Sequence, residues 1–321
     1  MRHVALLLLL CGCVSLSSEQ NDQLASHQRN AKYYFEGGKF DQAMGQIERG
    51  LEIAPDDYLL NALRGVVLLK QSGSALSTDH RILDEATQAL ASVYDTRSPN
   101  RHEPYLLLNY ALALQKQGRR RLGEELRLRG QASRAPEKDE LLAQADVQRA
   151  EGRELLGKAD ELLQVLIERG EVLRIAHNHR LQIAQDLGDD AAFADAAKAY
   201  LDQSAKDQET ARREIERTTE ATYETEQLRS LRTMRDEELE VRALLAEHHY
   251  ARRQYETALT QLNRVLEIDP QRSVDYYNRA RVLMELGRTA EAKADFRKFL
   301  ATTRLPASNE KTTLAMKALD Q

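Results

Sequence analysis

Residues 250–300 contain two copies of one helix–turn–helix pattern, and this repetition constrains the fold more than any other feature. Small residues recur 34 positions apart, Ala246 with Ala280 and Ala258 with Ala292. An alanine at the crossing point lets two antiparallel helices approach closely, because its side chain fills little space. One such pair cannot bury its own apolar face, so the repetition predicts several stacked helix pairs.

Large apolar residues and a proline complete the pattern. Leu262 and Val265 follow the second alanine of the first copy, and Phe296 and Phe299 do so in the second. Pro270 ends the first copy, since proline lacks the N–H that a continuing helix needs. The combination resembles the tetratricopeptide repeat. That resemblance implies an all-α helical repeat solenoid, with its C-terminal repeats at 239–305.

The same 34-residue template fits the N-terminal part of the chain. A first repeat spans 24–57, a second spans 58–99, and a third begins at Pro104. The third repeat places a turn near Gly118, and Gly123, Gly130 and Arg127 make its second helix weak. We therefore predict N-terminal repeats over 24–135.

The centre of the chain, 136–238, departs from the template and is predicted to be a long helical hairpin. Its apolar residues keep helical spacing, and Gly188–Asp189 is the clearest break. This favours two long antiparallel helices, at about 138–187 and 190–250. Residues 181–200 also resemble a degraded repeat. The stretch 203–240 has a narrow apolar stripe, typical of a two-helix contact or of marginal order.

Residues 306–321 are predicted to form a helix that covers the end of the repeat stack. Ser308 can cap it, and apolar residues such as Leu314 and Leu319 follow at helical spacing. Pro306 separates this helix from the last repeat.

The first residues resemble the leader of a bacterial lipoprotein. Arg2 precedes an aliphatic run, and the leader is expected to be 1–12. The run is too short to cross a bilayer, which takes roughly 20 apolar residues. Leu10, Cys11, Gly12 and Cys13 resemble a lipobox, which implies that Cys13 is lipidated and that 13–23 is a tether. With valine at position 14, the resemblance implies an outer-membrane protein facing the periplasm. An ordinary signal peptide is the alternative.

Composition and motifs argue against nucleic-acid binding and against catalysis. The net charge is −5, whereas a nucleic-acid partner needs a concentrated positive surface. The sequence contains no phosphate-binding glycine loop, no metal-spaced cysteines and no nucleophile motif. We predict no enzymatic activity, no metal and no cofactor.

Two polar clusters leave alternatives open. His177 and His179 lie two residues apart and so point to different helix faces, which favours packed or solvated histidines over a metal site. The arginine-rich stretch 119–134 is either a patch for anionic partners or a solvated helix face paired with Glu124 and Glu125.

The resemblance implies a groove in which the first helix of each repeat contacts a partner. Anchors in such interfaces are often aromatic residues and arginine. Carried onto this sequence, the groove positions of the N-terminal repeats are Lys32, Phe35, Leu59, Val66, Leu69, Tyr105, Leu108 and Leu112. Those of the C-terminal repeats are Glu247, Tyr250, Tyr277, Arg281 and Met284.

These features predict a non-catalytic scaffold or adaptor anchored to the outer membrane. Its partners would be other envelope proteins or peptides, held in the repeat grooves. The alternative is a structural coiled-coil spacer or self-assembling envelope protein, in which the long central hairpin is the working part.

Overall fold

The computed structural model describes residues 16–73, 79–95, 103–133 and 136–320. All thirteen elements in this part of the chain are α-helices. None of these helices is both long enough and apolar enough to cross a membrane. The predicted leader and Cys13 lie outside the described residues. In order, the helices are α1 Ser18–Glu36, α2 Phe40–Ile53, α3 Tyr58–Gln71, α4 His80–Asp95, α5 Pro104–Ala132, α6 Lys138–Glu168, α7 Leu173–Leu187, α8 Asp190–Arg217, α9 Ala221–Ala251, α10 Tyr255–Ile268, α11 Ser273–Glu285, α12 Thr289–Thr302 and α13 Glu310–Asp320.

The chain forms two compact units, divided between Val172 and Leu173. Unit 1 holds the helix pairs α1–α2, α3–α4 and α5–α6, and each pair packs on the next. Its core between the first two pairs contains Ala31, Ala43 and Ile47, which are fully buried. The first two predicted N-terminal repeats correspond to the stacked pairs α1–α2 and α3–α4.

Unit 2 holds the pairs α7–α8, α9–α10 and α11–α12, followed by α13. The predicted degraded repeat is the pair α7–α8. Its Leu181, Phe193 and Tyr200 share one core cluster with Val241 and Leu245 of α9. The stretch 203–240 is helical apart from the break between α8 and α9.

The predicted C-terminal helix is α13. Ala315 of this helix is fully buried and lies in one cluster with Ala280, Phe296 and Phe299. Thus α13 covers the apolar face that the last helix pair cannot bury by itself.

The turn within a pair recurs with the same geometry. Gly38, Gly188 and Gly287 have φ values of +69°, +68° and +73°. After each of them, the next N–H donates to the carbonyl five residues back, as from Arg288 to Leu283 at 2.9 Å. Arg253, 34 residues before Gly287, takes the same left-handed conformation with φ +60°.

The third repeat does not turn at Gly118, contrary to the prediction. Helix α5 runs through this position to Ala132, and the second helix of the pair is α6. A Cβ at Gly118 would lie 2.7 Å from Cγ of Leu156 and 3.0 Å from the carbonyl oxygen of Gly152. The glycine therefore permits close helix contact, and its role is not to reverse the chain.

The two-helix interpretation of the central region is also wrong, because four helices occupy it. A break follows Gly170, whose φ is +72°, and a second separates α8 from α9 at 218–220. Helix α6 packs against α5, and α8 packs against both α7 and α9. The long helices thus form two separate hairpins. The hairpin α5–α6 is itself the third pair of unit 1, and α8–α9 joins the first two pairs of unit 2.

Candidate partner-binding surfaces

The first helices of successive pairs lie side by side in unit 1. Helix α3 contacts both α1 and α5. The surface formed by α1, α3 and α5 is called here the inner surface of unit 1. Leu59 on α3 and Tyr105 on α5 are 46% and 50% exposed there, which is high for large apolar side chains. Burial raises the pKa of the Tyr105 hydroxyl, although half of the side chain is open to solvent.

The other predicted positions on this surface differ in how far their side chains are exposed to solvent. Phe35, Leu108 and Leu112 are half-buried. Lys32 is exposed and forms an ion pair with Glu36 at 3.8 Å. Two further positions, Val66 and Leu69, are buried.

The burial of Leu69 corrects its assignment to the groove. Leu69 is only 4% exposed and packs in the cluster shared by α3, α4 and α5, and Val66 is 1% exposed. Both side chains point between the helices, because α3 is buried around most of its circumference.

The inner surface of unit 2 is formed by α9, α11 and α13. The guanidinium of Arg281 on α11 lies 4.4 Å from the ring centroid of Tyr250 on α9. The Tyr250 hydroxyl donates to Oε1 of Glu285 at 3.4 Å. Met284 is 36% exposed beside this cluster, and Glu247 is exposed as well. Arg281 is itself exposed, so its guanidinium can contact a partner while it lies over the ring.

Tyr277 is a core residue, which corrects its assignment to the groove. It is 4% exposed, and its ring lies 5.8 Å from that of Phe296 and 5.3 Å from that of Phe299. Lys311 of α13 covers it at 5.7 Å from the ring centroid. Burial raises the pKa of the Tyr277 hydroxyl.

Sequence reasoning included Lys32 but missed Lys70, Lys116 and Lys311. Lys70 lies eleven residues after Leu59, and Lys116 lies eleven residues after Tyr105. Lys311 was missed because α13 was treated only as a cover. The common spacing of the apolar residue and the lysine was the available signal.

The arginine-rich stretch favours the paired helix face over a basic patch. Arg120 contacts Asp84 at 3.0 Å, Arg121 contacts Glu151 at 3.2 Å, and Arg129 contacts Asp146 at 2.6 Å. Arg127 pairs with Glu124 one turn away. Their charges are largely matched, by Asp84 on α4 and by carboxylates within the hairpin α5–α6. Arg134 lies outside the described residues.

His177 and His248 are partly buried among side chains of unit 2. The ring of His248 stacks on Phe193, with centroids 4.6 Å apart. Burial lowers the pKa of both His177 and His248. In the described ranges, no three His, Cys, Asp or Glu side chains come together as metal ligands would.

Hydrogen bonds and ion pairs between side chains link the helices of unit 2. Tyr200 on α8 donates to Glu237 on α9 at 2.8 Å, and Arg174 on α7 pairs with the same carboxylate. Arg279 makes two bonds to Asp295, at 2.7 Å and 2.8 Å, joining α11 to α12. These groups are satisfied by one another, so they are structural.

Stacked antiparallel pairs with alanine crossings and a left-handed turn define a helical-repeat protein. Residues 276–302, within α11 and α12, match the family model described as tetratricopeptide repeat. The pair α11–α12 therefore contains a tetratricopeptide repeat, and the other pairs share its helix–turn–helix arrangement.

Solved structures with a similar arrangement include three repeat proteins. TTC0263 of Thermus thermophilus is 17% identical, with 82% of this chain and 98% of that chain covered and a TM-score of 0.39. A tetratricopeptide repeat protein of Parabacteroides merdae is 12% identical, with 94% and 100% covered and a TM-score of 0.37. The TPR2AB domain of yeast Sti1 is 13% identical, with 93% and 96% covered and a TM-score of 0.28.

These likenesses are too remote to carry an argument about what this chain binds. No curated protein matches the sequence. The tetratricopeptide fold itself indicates a protein–protein interaction scaffold, and proteins of this class are generally non-catalytic interaction modules.

Proposed function

We propose that the protein is a non-catalytic adaptor that holds partner proteins of a bacterial envelope assembly on its inner surfaces. The observation that carries this proposal is Arg281, an exposed cation ordered over Tyr250 beside the exposed Met284. Arginine, tyrosine and methionine are enriched in interface cores, and a pre-ordered anchor loses little entropy on binding. Repeat proteins of this class bind protein partners.

The test is co-purification from detergent-solubilised membranes with the full chain as bait. A true partner should accompany the wild type and be lost with Arg281→Ala or Tyr250→Ala. Arg288→Ala is the matched control, because Arg288 is also exposed but pairs with Glu291 within α12 and its N-terminal turn. Partners that are retained by the first two variants, or lost equally with the control, contradict the proposal for this surface.

The proposed location is the periplasmic face of the outer membrane, through a lipid on Cys13. The support is the sequence pattern around Cys11 and Cys13 alone. Cys13→Ser should abolish incorporation of radiolabelled palmitate and release the chain from the membrane fraction. Cys11→Ser is the matched control, since this cysteine falls within the expected leader and its loss should leave labelling intact. Unchanged labelling of Cys13→Ser, or labelling lost equally in both variants, would refute the assignment.

The spacer remains the second candidate, and the length of the hairpin α5–α6 favours it. Helices of 29 and 31 residues are about 45 Å long at 1.5 Å per residue. Replacing 123–147 with a short glycine-rich turn shortens this hairpin and leaves the crossing at Gly118 and Gly152 in place. An adaptor should keep its partners after this change, whereas a spacer should lose its activity or its self-association.

A further inference from the structure

Two exposed stripes of residues on the hairpin α5–α6 have matching spacing. The members of each stripe are four, three and four residues apart, which places them on one side of their helix. The α5 stripe consists of Arg119, Gly123, Leu126 and Gly130, and the α6 stripe consists of Ala143, Val147, Ala150 and Glu154. Every one of these residues is exposed to solvent.

Neither stripe takes part in the contact between α5 and α6. That contact runs through Gly118 and Gly152, whereas a Cβ at either glycine of the α5 stripe would meet no atom within 4 Å. Leu126 is 70% exposed and Val147 is 53% exposed, which is high for large apolar side chains. Each stripe therefore leaves an apolar side chain and the space beside it uncovered.

The α5 stripe of one copy of the chain fits the α6 stripe of another copy in an antiparallel contact. Read in opposite directions, the two sets of spacings coincide, so Leu126 meets Val147 and each glycine meets an alanine. Small residues on both helices allow a close approach, and the two large apolar side chains pack at the centre. In a parallel contact each large residue would face a small one, and this central packing would be lost.

The charges of the two stripes are complementary in the same orientation. The antiparallel contact brings Arg119, at one end of the α5 stripe, to Glu154 at the end of the α6 stripe. The charged residues flanking the α5 stripe are Arg120, Glu124 and Arg127, and those flanking the α6 stripe are Glu140, Glu151 and Lys158. With the stripe ends included, cations are in excess on the α5 side and acids are in excess on the α6 side. Opposite charge therefore favours a second copy as the occupant.

Ion pairs within each copy reduce this charge difference but do not remove it. Several of these residues already have partners: Arg120 pairs with Asp84, Arg121 with Glu151, Arg127 with Glu124 and Lys158 with Glu154. Asp84 and Arg121 are the two partners from outside the stripes and their flanks, and they offset one charge on each side. Exposed pairs contribute little, so their members remain available to a second copy. The remaining charged residues of this part of α6, Asp146, Arg149 and Arg153, lie on the flank nearer to α5.

We propose that the hairpin α5–α6 binds a second copy of this chain head to tail, with the α5 stripe of one copy on the α6 stripe of the next. Because the two stripes are different surfaces, further copies can add, and the assembly is a ring or a filament. A single contact between two helices is small, so each contact is weak in dilute solution. This inference rests on the second candidate function, the self-associating spacer, and specifies the surface that it uses.

Reversal of the end charges tests the contact in the full chain, by sedimentation equilibrium in density-matched detergent. The average mass of the wild type should rise with concentration. Arg119→Glu and Glu154→Arg should each weaken the association by at least about tenfold, because like charges then meet. An equimolar mixture of the two variants should regain it, since each contact again joins opposite charges. Circular dichroism checks that both variants keep their helices.

Arg297→Glu is the matched control, an equal charge change at an exposed position of α12, and it should associate as the wild type does. A wild-type mass that is independent of concentration overturns the proposal. Charge variants that associate as well as the wild type do so too, and so does a mixture of folded variants that fails to regain the association.

Disulfide cross-linking tests the orientation. Leu126→Cys and Val147→Cys proteins are oxidised singly and as a mixture, with oxidised wild type accounting for Cys11 and Cys13. Only the mixture should give a new disulfide-linked dimer, because Leu126 of one copy meets Val147 of the next. Dimers of either variant alone, as abundant as those of the mixture, would mean a two-fold contact and would overturn the head-to-tail arrangement.

Failure of this inference is distinguishable from failure of the spacer function. Leu126→Ser should weaken the association, whereas Leu228→Ser, at a position that is 44% exposed on α9, is the control and should not. If replacing 123–147 abolishes the association while Leu126→Ser and the charge variants retain it, the hairpin associates through another surface. If that replacement also leaves the association unchanged, the hairpin is not the self-associating element.

Discussion

The Arg281 guanidinium stacks on the Tyr250 ring at 4.4 Å, and it also lies 5.9 Å from the ring of Tyr277. The two tyrosines play different roles although both contact the same cation. Tyr250 is half-buried at the surface, whereas Tyr277 lies beneath α13 in the core.

Substitutions at these tyrosines should therefore separate binding from stability. Tyr277→Ala should lower the free energy of unfolding by about 3–5 kcal/mol, because a buried aromatic leaves a cavity. Tyr250→Ala should cost much less and mainly reduce partner capture. Urea unfolding followed by circular dichroism measures the first effect, and co-purification measures the second. Similar destabilisation by both variants would show that Tyr250 also belongs to the core.

The crossing of α5 and α6 depends on the size of Gly118. Gly118→Ala should destabilise unit 1 by about 1–3 kcal/mol, because its Cβ would overlap Leu156 and Gly152 of α6. Gly123→Ala, five residues further along the same helix, meets no atom within 4 Å and should stabilise it by about 0.5–1 kcal/mol. Thermal unfolding of the two variants gives the comparison. A stable Gly118→Ala protein would contradict the close helix contact.

The buried ion pair between α11 and α12 should contribute far more to the free energy of unfolding than an exposed ion pair does. Asp295 is 7% exposed, and Asp295→Ala leaves Arg279 without its carboxylate partner, at a cost of about 3 kcal/mol. Glu291→Ala breaks the exposed pair with Arg288 and should leave the melting temperature nearly unchanged, because solvent screens such a pair. Equal melting temperatures for the two variants would refute this difference.

Alkaline pH should weaken unit 2 through Tyr200. Burial and the bond to Glu237 raise the pKa of this hydroxyl above its ordinary value of about 10. Above about pH 10 the unfolded chain loses the proton while the folded chain keeps it, so the free energy of unfolding falls as pH rises.

Tyr200→Phe removes this contribution. The variant should be less stable than wild type at about pH 8, by roughly 1 kcal/mol for the lost hydrogen bond. Because only the wild type loses stability as Tyr200 titrates, the difference should shrink at about pH 11. Tyr33→Phe, on an exposed side chain, is the control for removing a hydroxyl. A difference that stays constant between the two pH values would contradict the assignment.

Replacing Arg253 with glycine should stabilise the turn between α9 and α10. Arg253 has φ +60°, a conformation that costs an L-residue roughly 1–2 kcal/mol. Arg253→Gly should therefore raise the free energy of unfolding by roughly 0.5–1 kcal/mol after the entropy cost of glycine. Gly287→Ala, at the equivalent turn, should lower it by a similar amount. Destabilisation by Arg253→Gly would mean that the arginine side chain supplies a contact of its own.

Much of the fold was predictable because residue size recurs with a fixed period. Ala246 and Ala280 located α9 and α11, and the pattern around Phe296 located α12. The boundaries of α5 to α9 were not predictable in the same way. The template places Gly118 in a turn. In the structure, Gly188 occupies a turn, whereas Gly118 lies in the contact between α5 and α6. A glycine gives the same local signal in both roles, and only its neighbours in space distinguish them.

The repeat template identified some residues that are exposed on the candidate surfaces, but it also assigned buried residues to them. Tyr250, Arg281 and Tyr105 lie at the surface as the repeat template implied. Tyr277 and Leu69 follow the same template but are covered by neighbouring helices. Periodicity indicates which face of a helix a residue occupies, but it does not indicate how much of that face the next element covers.

By itself, the sequence determined that the chain forms helices that must stack, because alternating small and large residues leave each pair with an apolar face to bury. The tertiary structure alone decided which helices pair, which glycines bend the chain, and which predicted surface residues the neighbouring helices cover. Those outcomes depend on atoms far apart in the chain, and contacts of that kind leave no periodic trace in the sequence.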